Sequence, residues 1–117
     1  MAATNGRPMK ARGARFEREV VACLRDNGHP YAERAYGAGR PRDVGDIDGL
    51  PGFALECKAH RSIDLAGFMN EAAAEADNLG DGVVPVVIAK RRGKPITDAY
   101  VVMQLGDWAQ LVSEASL

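Results

Sequence analysis

Long apolar runs are missing from this 117-residue chain. No stretch approaches the roughly 18 residues that a membrane helix needs. The opening "MAATNGRPMKARG" has basic residues but no apolar segment behind them, so it does not read as a secretory signal. Cysteine is scarce: Cys23 and Cys57 are the only two, and neither sits in a C-x-x-C pair. That disfavours a thiolate metal site or a disulfide framework and favours free thiols in a reducing cytoplasm. The chain also lacks internal repeats and low-complexity segments. Net charge is only −1, so overall charge gives no pointer to nucleic acid.

What is present fits one soluble globular domain, with 46% apolar and 26% charged residues and enough length for a single core. The charge is unevenly spread. Residues 1–42 hold nine Lys/Arg against four Asp/Glu, whereas residues 43–117 hold six against twelve. A basic first third beside an acidic remainder suits a protein that grips a polyanion and holds metal ions near it. Chance clustering with a basic tail gives the same counts.

Residues 1–11, rich in Gly, Pro, Ala and polar groups, predict a flexible basic arm ahead of a single domain over 12–117. A first helix is expected from Ala14 to about Asn27, on the spacing of Phe16, Val20, Cys23 and Leu24, with Asn27-Gly28 as its stop. Tyr31 to Tyr36 reads as a short strand and "GAGRPRD" as a loop. Val44 to Asp48 and Phe53 to Lys58 read as two strands joined by a "GLPG" turn. Asp64 is placed to cap a second helix running to Leu79, with Leu65, Phe68, Met69, Ala72, Ala76 and Leu79 as its apolar stripe and Gly80 as its end. Val83 to Ala89 is the strand expected to be buried on both faces, with Pro85 at its start or on an edge. A basic loop, a strand from Ala99 to Leu105 and a short helix capped by Asp107 complete the order α-β-β-β-α-β-β-α. This is a mixed α/β domain around one sheet of about five strands flanked by helices.

Side chains alternate faces along a strand. In "FALECK", Glu56 and Lys58 therefore share a face, opposite Phe53, Leu55 and Cys57. In "GDIDG", Asp46 and Asp48 share a face opposite Ile47. If the turn folds the two strands together, a carboxylate from one lies near Glu56 on the other. Carboxylates so placed repel unless a cation lies between them. Mg2+ takes one or two carboxylates with water and phosphate, and a lysine beside them can steady a phosphoryl transition state. A cross-strand salt-bridge ladder is the plainer alternative. Glu17 precedes Val20, Val21 and Leu24 by three, four and seven residues, which puts a carboxylate on or beside the buried stripe of the first helix. It either joins the cluster or pairs locally with Arg15 or Arg18.

Glu17 in a first helix, then "GDIDG", then "ECK" make the chain resemble the PD-(D/E)XK nuclease superfamily. More narrowly, "RGARFEREV", "AERAYGAG" and "DIDGLPGFALECKAH" are similar to segments of the Holliday junction resolvases of archaea and phages. The resemblance spans roughly residues 12 to 90. It implies a restriction-endonuclease-like fold and a metal-dependent endodeoxyribonuclease, with Glu17, Asp46 and Glu56 as metal ligands and Lys58 as the catalytic lysine. Arg34 matches the strand arginine that assists at the scissile phosphate or in DNA contact. Asp46 and Asp48 are level on strand geometry, and the family pattern favours Asp46. The archaeal enzymes carry a serine in the loop before the aspartate. "GAGRPRD" has none, so that role is vacant or passes to Arg40, Arg42 or Asp43. Cys57 is given no catalytic role.

The cofactor implied is Mg2+, with Mn2+ as a substitute and no organic cofactor. The partners implied are branched DNA and a second copy of the chain, in the cytoplasm of a prokaryotic or phage-infected cell. DNA contacts are expected from Arg12, Arg15, Arg40, Arg42, His60, Arg61, Arg91, Arg92 and Lys94, although His60 and the 90–94 turn also read as solvated loops. Trp108 is expected in core or dimer packing. Glu71 and Glu75 are expected in solvent, opposite the stripe of the second helix. The alternatives are a repair, flap or restriction-like nuclease of the same chemistry, a non-cleaving DNA-binding module, and a metal-free salt-bridged fold.

Overall fold

The computed structural model describes residues 2–35 and 45–115, with the backbone alone at 2–12. Among the described residues three helices and five strands follow one another in the expected order. They are α1 (Ala2–Asp26), β1 (Glu33–Arg34), β2 (Ile47–Asp48), β3 (Phe53–Lys58), α2 (Leu65–Leu79), β4 (Val84–Ala89), β5 (Tyr100–Val102) and α3 (Leu105–Glu114), with a single 3-10 turn at Ile96–Asp98 before β5. The strands form one mixed sheet in sequence order. Neighbours are antiparallel except β3 and β4, which run parallel because α2 crosses between them.

The sheet is covered on both faces. Phe16, Val20 and Val21 of α1 pack on Ile47, Leu55, Val86 and Ile88. On the other face Phe68 and Ala72 of α2 close over Val87. β4, buried from Val86 to Ala89, is the central two-faced strand that its β-branched composition predicts. Pro85 stands second in it and pairs with Ala54 of β3, before the β5 ladder begins at Val87, so it is tolerated as a strand-start residue and not as an edge one.

Helix ends follow local chemistry. At the end of α1 the His29 N–H returns to the Leu24 carbonyl and the Asn27 side chain donates to Cys23 O at 2.8 Å. Asp64 caps α2, accepting from Gly67 N at 3.0 Å.

Four expectations need correction. Helix α1 begins at Ala2, ahead of the expected start at Ala14; Met9 to Ala14 are good helix formers broken only by Gly13. Leu65 and Leu79 are exposed, because the covered side of α2 runs through Phe68, Ala72, Glu75 and Ala76. The last helix starts at Leu105 with extended Gln104 as its cap residue, which leaves Asp107 in the first turn, where its charge favours the helix N-terminus. No residue of α3 is buried, so Trp108, 53% exposed, is not core. No described helix is long and apolar enough to cross a membrane.

Candidate active site

The "GDIDG" stretch is shaped by its two glycines. Gly45 has φ +101°, and a Cβ there would stand 3.0 Å from the Leu55 carbonyl oxygen. Gly49 has φ +96°, and a Cβ there would collide with the Tyr31 carbonyl. The glycines therefore let β2 run close to both neighbours. Between them, Ile47 pairs with Leu55 and points into the α1 core. Asp46 is fastened to β3 twice. Its N–H donates to Leu55 O at 2.8 Å, and its Oδ2 accepts from Cys57 N at 2.8 Å.

β3 turns Glu56 and Lys58 toward α2 because Leu55 and Cys57 fill the α1 side. Glu56 is 7% exposed. Its Oε1 lies 3.2 Å from Lys58 Nζ, while its Oε2 is buried with no hydrogen-bond partner. A carboxylate oxygen seldom stays buried and unpaired, since that forfeits its hydration. Lys58 also reaches Glu71 of α2 at 2.5 Å and lies 5.0 Å from the centre of the Phe68 ring. Burial pulls the lysine's pKa down, but the bonds from Glu71 and Glu56 outweigh it and hold the ammonium above its ordinary value.

Burial, then repulsion from Glu56, pushes the Asp46 carboxyl up from 3.8 to about 7. The Cys57 N–H pulls it back, Glu17 adds further repulsion and Lys58 relieves some of it. The Cys57 thiol is driven up by burial and then by the nearby carboxylates, so it is no nucleophile. Glu17, half-buried on α1, forms an ion pair with Arg34 of β1 at 3.0 Å.

Asp46, Glu56 and Lys58 thus stand together, with Glu17 close enough to act on Asp46 electrostatically. Asp46 and Glu56 fit a hard divalent cation. They offer oxygen donors, one oxygen is orphaned, and their mutual repulsion would be relieved by positive charge between them. Among the described residues no group of three or more Asp, Glu, His or Cys is arranged to hold a metal by itself. Mg2+ does not require one, since water and substrate phosphate complete its shell.

Beyond Lys58, the ends of β3 and β4 open into a groove of about 550 Å3 that takes in His60, Arg61, Arg91 and Arg92. Lys94 sits exposed in the turn beyond it, and Arg15 is exposed on α1. Arg12 has its backbone alone described, and Arg40, Arg42 and Asp43 lie outside the described residues.

Sequence reasoning missed two carboxylates. Glu71 is 55% exposed yet bonds Lys58, and Glu75 is 4% exposed. The second was within reach of periodicity: Glu75 stands seven residues after Phe68 and three after Ala72, on the covered side of the helix. No family model, no curated protein and no solved structure matches this chain.

Proposed function

We propose that the chain is a Mg2+-dependent, structure-selective DNA endonuclease of the PD-(D/E)XK type that resolves four-way (Holliday) junctions. The observation that carries this reading is the pairing of half-buried Asp46 with buried Glu56, whose orphaned oxygen lies beside Lys58. Two carboxylates forced together at a cost to the ionisation of Asp46, with a lysine alongside, are a poor structural device and a good phosphodiesterase site.

Asp46 and Glu56 would hold the cation, with Glu17 adding negative potential while bound to Arg34. When bound, Mg2+ supplies Lewis acidity that stabilises charge on the phosphoryl and leaving oxygens. Lys58, kept as an ammonium, donates to the attacking water and offsets charge building on the phosphate. It is an orienting and electrostatic group and not the base. Arg34, paired with Glu17 on the α1 side of the sheet, carries a guanidinium of the kind suited to a phosphate. Symmetric resolution of a junction calls for a C2 homodimer. The free edge of β5, with Val101, Leu105 and Trp108 exposed next to it, offers apolar surface for one. Free Cys23 and Cys57 accord with a reducing cytoplasm.

The test is a synthetic four-way junction, a linear duplex and a flap, each incubated with Mg2+ and either the wild type or Lys58→Ala. The junction should be cut in paired strands by the wild type and at least about 100-fold more slowly by Lys58→Ala. Equal cutting by both proteins, or none by either, overturns the mechanism. Faster cutting of duplex or flap moves the reading to a repair or restriction-like nuclease.

A further inference from the structure

The groove past Lys58 has a chemistry of its own. His60 and Arg61 follow β3, Lys90, Arg91 and Arg92 follow β4, and Tyr100 opens β5. Among the described residues none of these four Arg and Lys side chains is in an ion pair. Lys90 and Arg91 are half-buried all the same. Cations gathered without carboxylates, two of them partly removed from water, need an anion to offset their mutual repulsion.

The groove is not purely electrostatic. The Arg91 guanidinium lies 4.7 Å from the centre of the Tyr100 ring, which remains 52% exposed. A guanidinium against an aromatic ring makes a flat platform on which another π-system can stack. A nucleotide is an anion that carries a flat unsaturated ring. In a paired duplex the base faces are already stacked and closed to such a platform, whereas in a single strand they are open.

The groove is also joined to the candidate catalytic centre. Lys58 Nζ sits 5.0 Å from the Phe68 ring, and that ring lies 5.2 Å from the His60 ring on the groove wall. The Lys90 N–H is bonded to the Lys58 carbonyl at 2.9 Å, which fixes the two strand ends side by side.

We propose that this groove binds one unpaired nucleotide of a single strand, its phosphate on Arg61, Lys90 and Arg92 and its base on the Tyr100–Arg91 platform. That the strand is the one cut at Lys58 rests on the endonuclease reading above. The groove then selects DNA that is locally unpaired, and Tyr100 is the residue that senses it.

The experiment uses the full chain in EDTA, so that binding is read without cleavage. Fluorescence anisotropy follows a labelled single-stranded DNA oligonucleotide, an RNA of the same sequence and a DNA hairpin closed by a polyethylene glycol linker, so that every base in it is paired. The proteins are wild type, Tyr100→Ala, Tyr100→Phe, Arg91→Ala and, as a surface control, Tyr31→Ala. Tyr100→Ala should weaken single-strand binding about tenfold, the loss of one stacked base, and leave hairpin binding unchanged. Tyr100→Phe and Tyr31→Ala should bind like wild type. Arg91→Ala, which takes away the other half of the platform, should weaken single-strand binding too and leave hairpin binding unchanged. This second variant decides the matter should Tyr100→Ala fold poorly. Single-strand binding unchanged by either variant, or an equal loss on single strand and hairpin, overturns the proposal. Binding of RNA tenfold tighter than DNA overturns its link to the cut strand. A wild type that binds single strands through Tyr100 but cuts no DNA refutes the endonuclease reading and leaves the groove standing. One that cuts junctions while Tyr100→Ala binds normally refutes the groove alone.

Discussion

The two faces of the sheet are built to different ends. Against α1, Phe16, Val20, Val21, Ile47, Leu55, Val86 and Ile88 form a dry aliphatic and aromatic core. Against α2 the buried apolar set is Phe68, Val87 and the small residues Ala54, Ala72, Ala76 and Ala89, and the space around it is taken by Glu56, Lys58 and Glu75. One strand, β3, serves both by alternation: Leu55 points to the first face and Glu56 to the second. Hydrophobic burial scales with apolar area removed from water, so the α1 face should supply most of the stability. The α2 face, with a carboxylate oxygen left unpaired and an aspartate pushed toward neutral pH, should cost stability and supply chemistry.

The largest expected effect tests the first half of this contrast. Phe16 is 1% exposed and is one of the two largest fully buried side chains. Phe16→Ala should cost about 3–5 kcal/mol, through lost transfer energy and the cavity left behind. Urea unfolding followed by circular dichroism would measure it. A loss below about 1 kcal/mol would mean that the α1 face is not the stabilising one.

The second prediction concerns the sign of the charge effect on the α2 face. Asp46 titrates near 3.8 when unfolded and is raised to about 7 in the fold. Between those values the native state holds a proton that the unfolded state has released. Stability from this group is therefore present below about pH 4, declines as pH rises toward 7, and is fully lost above it. Asp46→Asn should flatten that decline and make the apo-protein more stable than wild type at pH 8, by an amount on the order of a few kcal/mol. Mg2+ should raise the unfolding midpoint of wild type at pH 8 and leave that of the variant unchanged. A wild type that gains stability from pH 5 to 8 relative to Asp46→Asn would show that the pair is an ordinary salt-bridge ladder.

The same contrast explains what could be read before the structure. Apolar periodicity and caps are local signals, so β3, the Asp64-capped α2 and the two-faced β4 were legible almost to the residue. The same holds for the split of "FALECK" into a dry and a charged face. Asp46 and Asp48 were level on alternation alone. Their difference lies in the loop entering β2, where Asp46 bonds the Cys57 N–H, and no spacing rule reports that. Glu71 illustrates the same limit: it faces water for most of its surface, and only the reach of Lys58 from another element gives it a role. Trp108 of α3 falls outside the core because an amphipathic pattern shows that a face is apolar, not that anything in the same chain covers it.

The smallest effect sharpens the comparison most narrowly. The Lys58–Glu71 pair is short, but Glu71 is 55% exposed, and exposed ion pairs contribute at most about 1 kcal/mol. Glu71→Gln should therefore change unfolding stability by less than about 0.5 kcal/mol. It removes one of the two carboxylates that hold the lysine's pKa up, while Glu56 remains at 3.2 Å. The lysine stays an ammonium in place, so junction cutting in Mg2+ should shift only a few-fold, far less than on Lys58→Ala. Unfolding and cleavage measured on the same preparation separate the outcomes. A stability loss above about 1 kcal/mol with cutting unchanged would assign Glu71 to the packing of α2 on the sheet. A loss of cutting as deep as that of Lys58→Ala, at unchanged stability, would make it part of the site in its own right. Either result would move the boundary between the face that holds the fold together and the face that is charged for work.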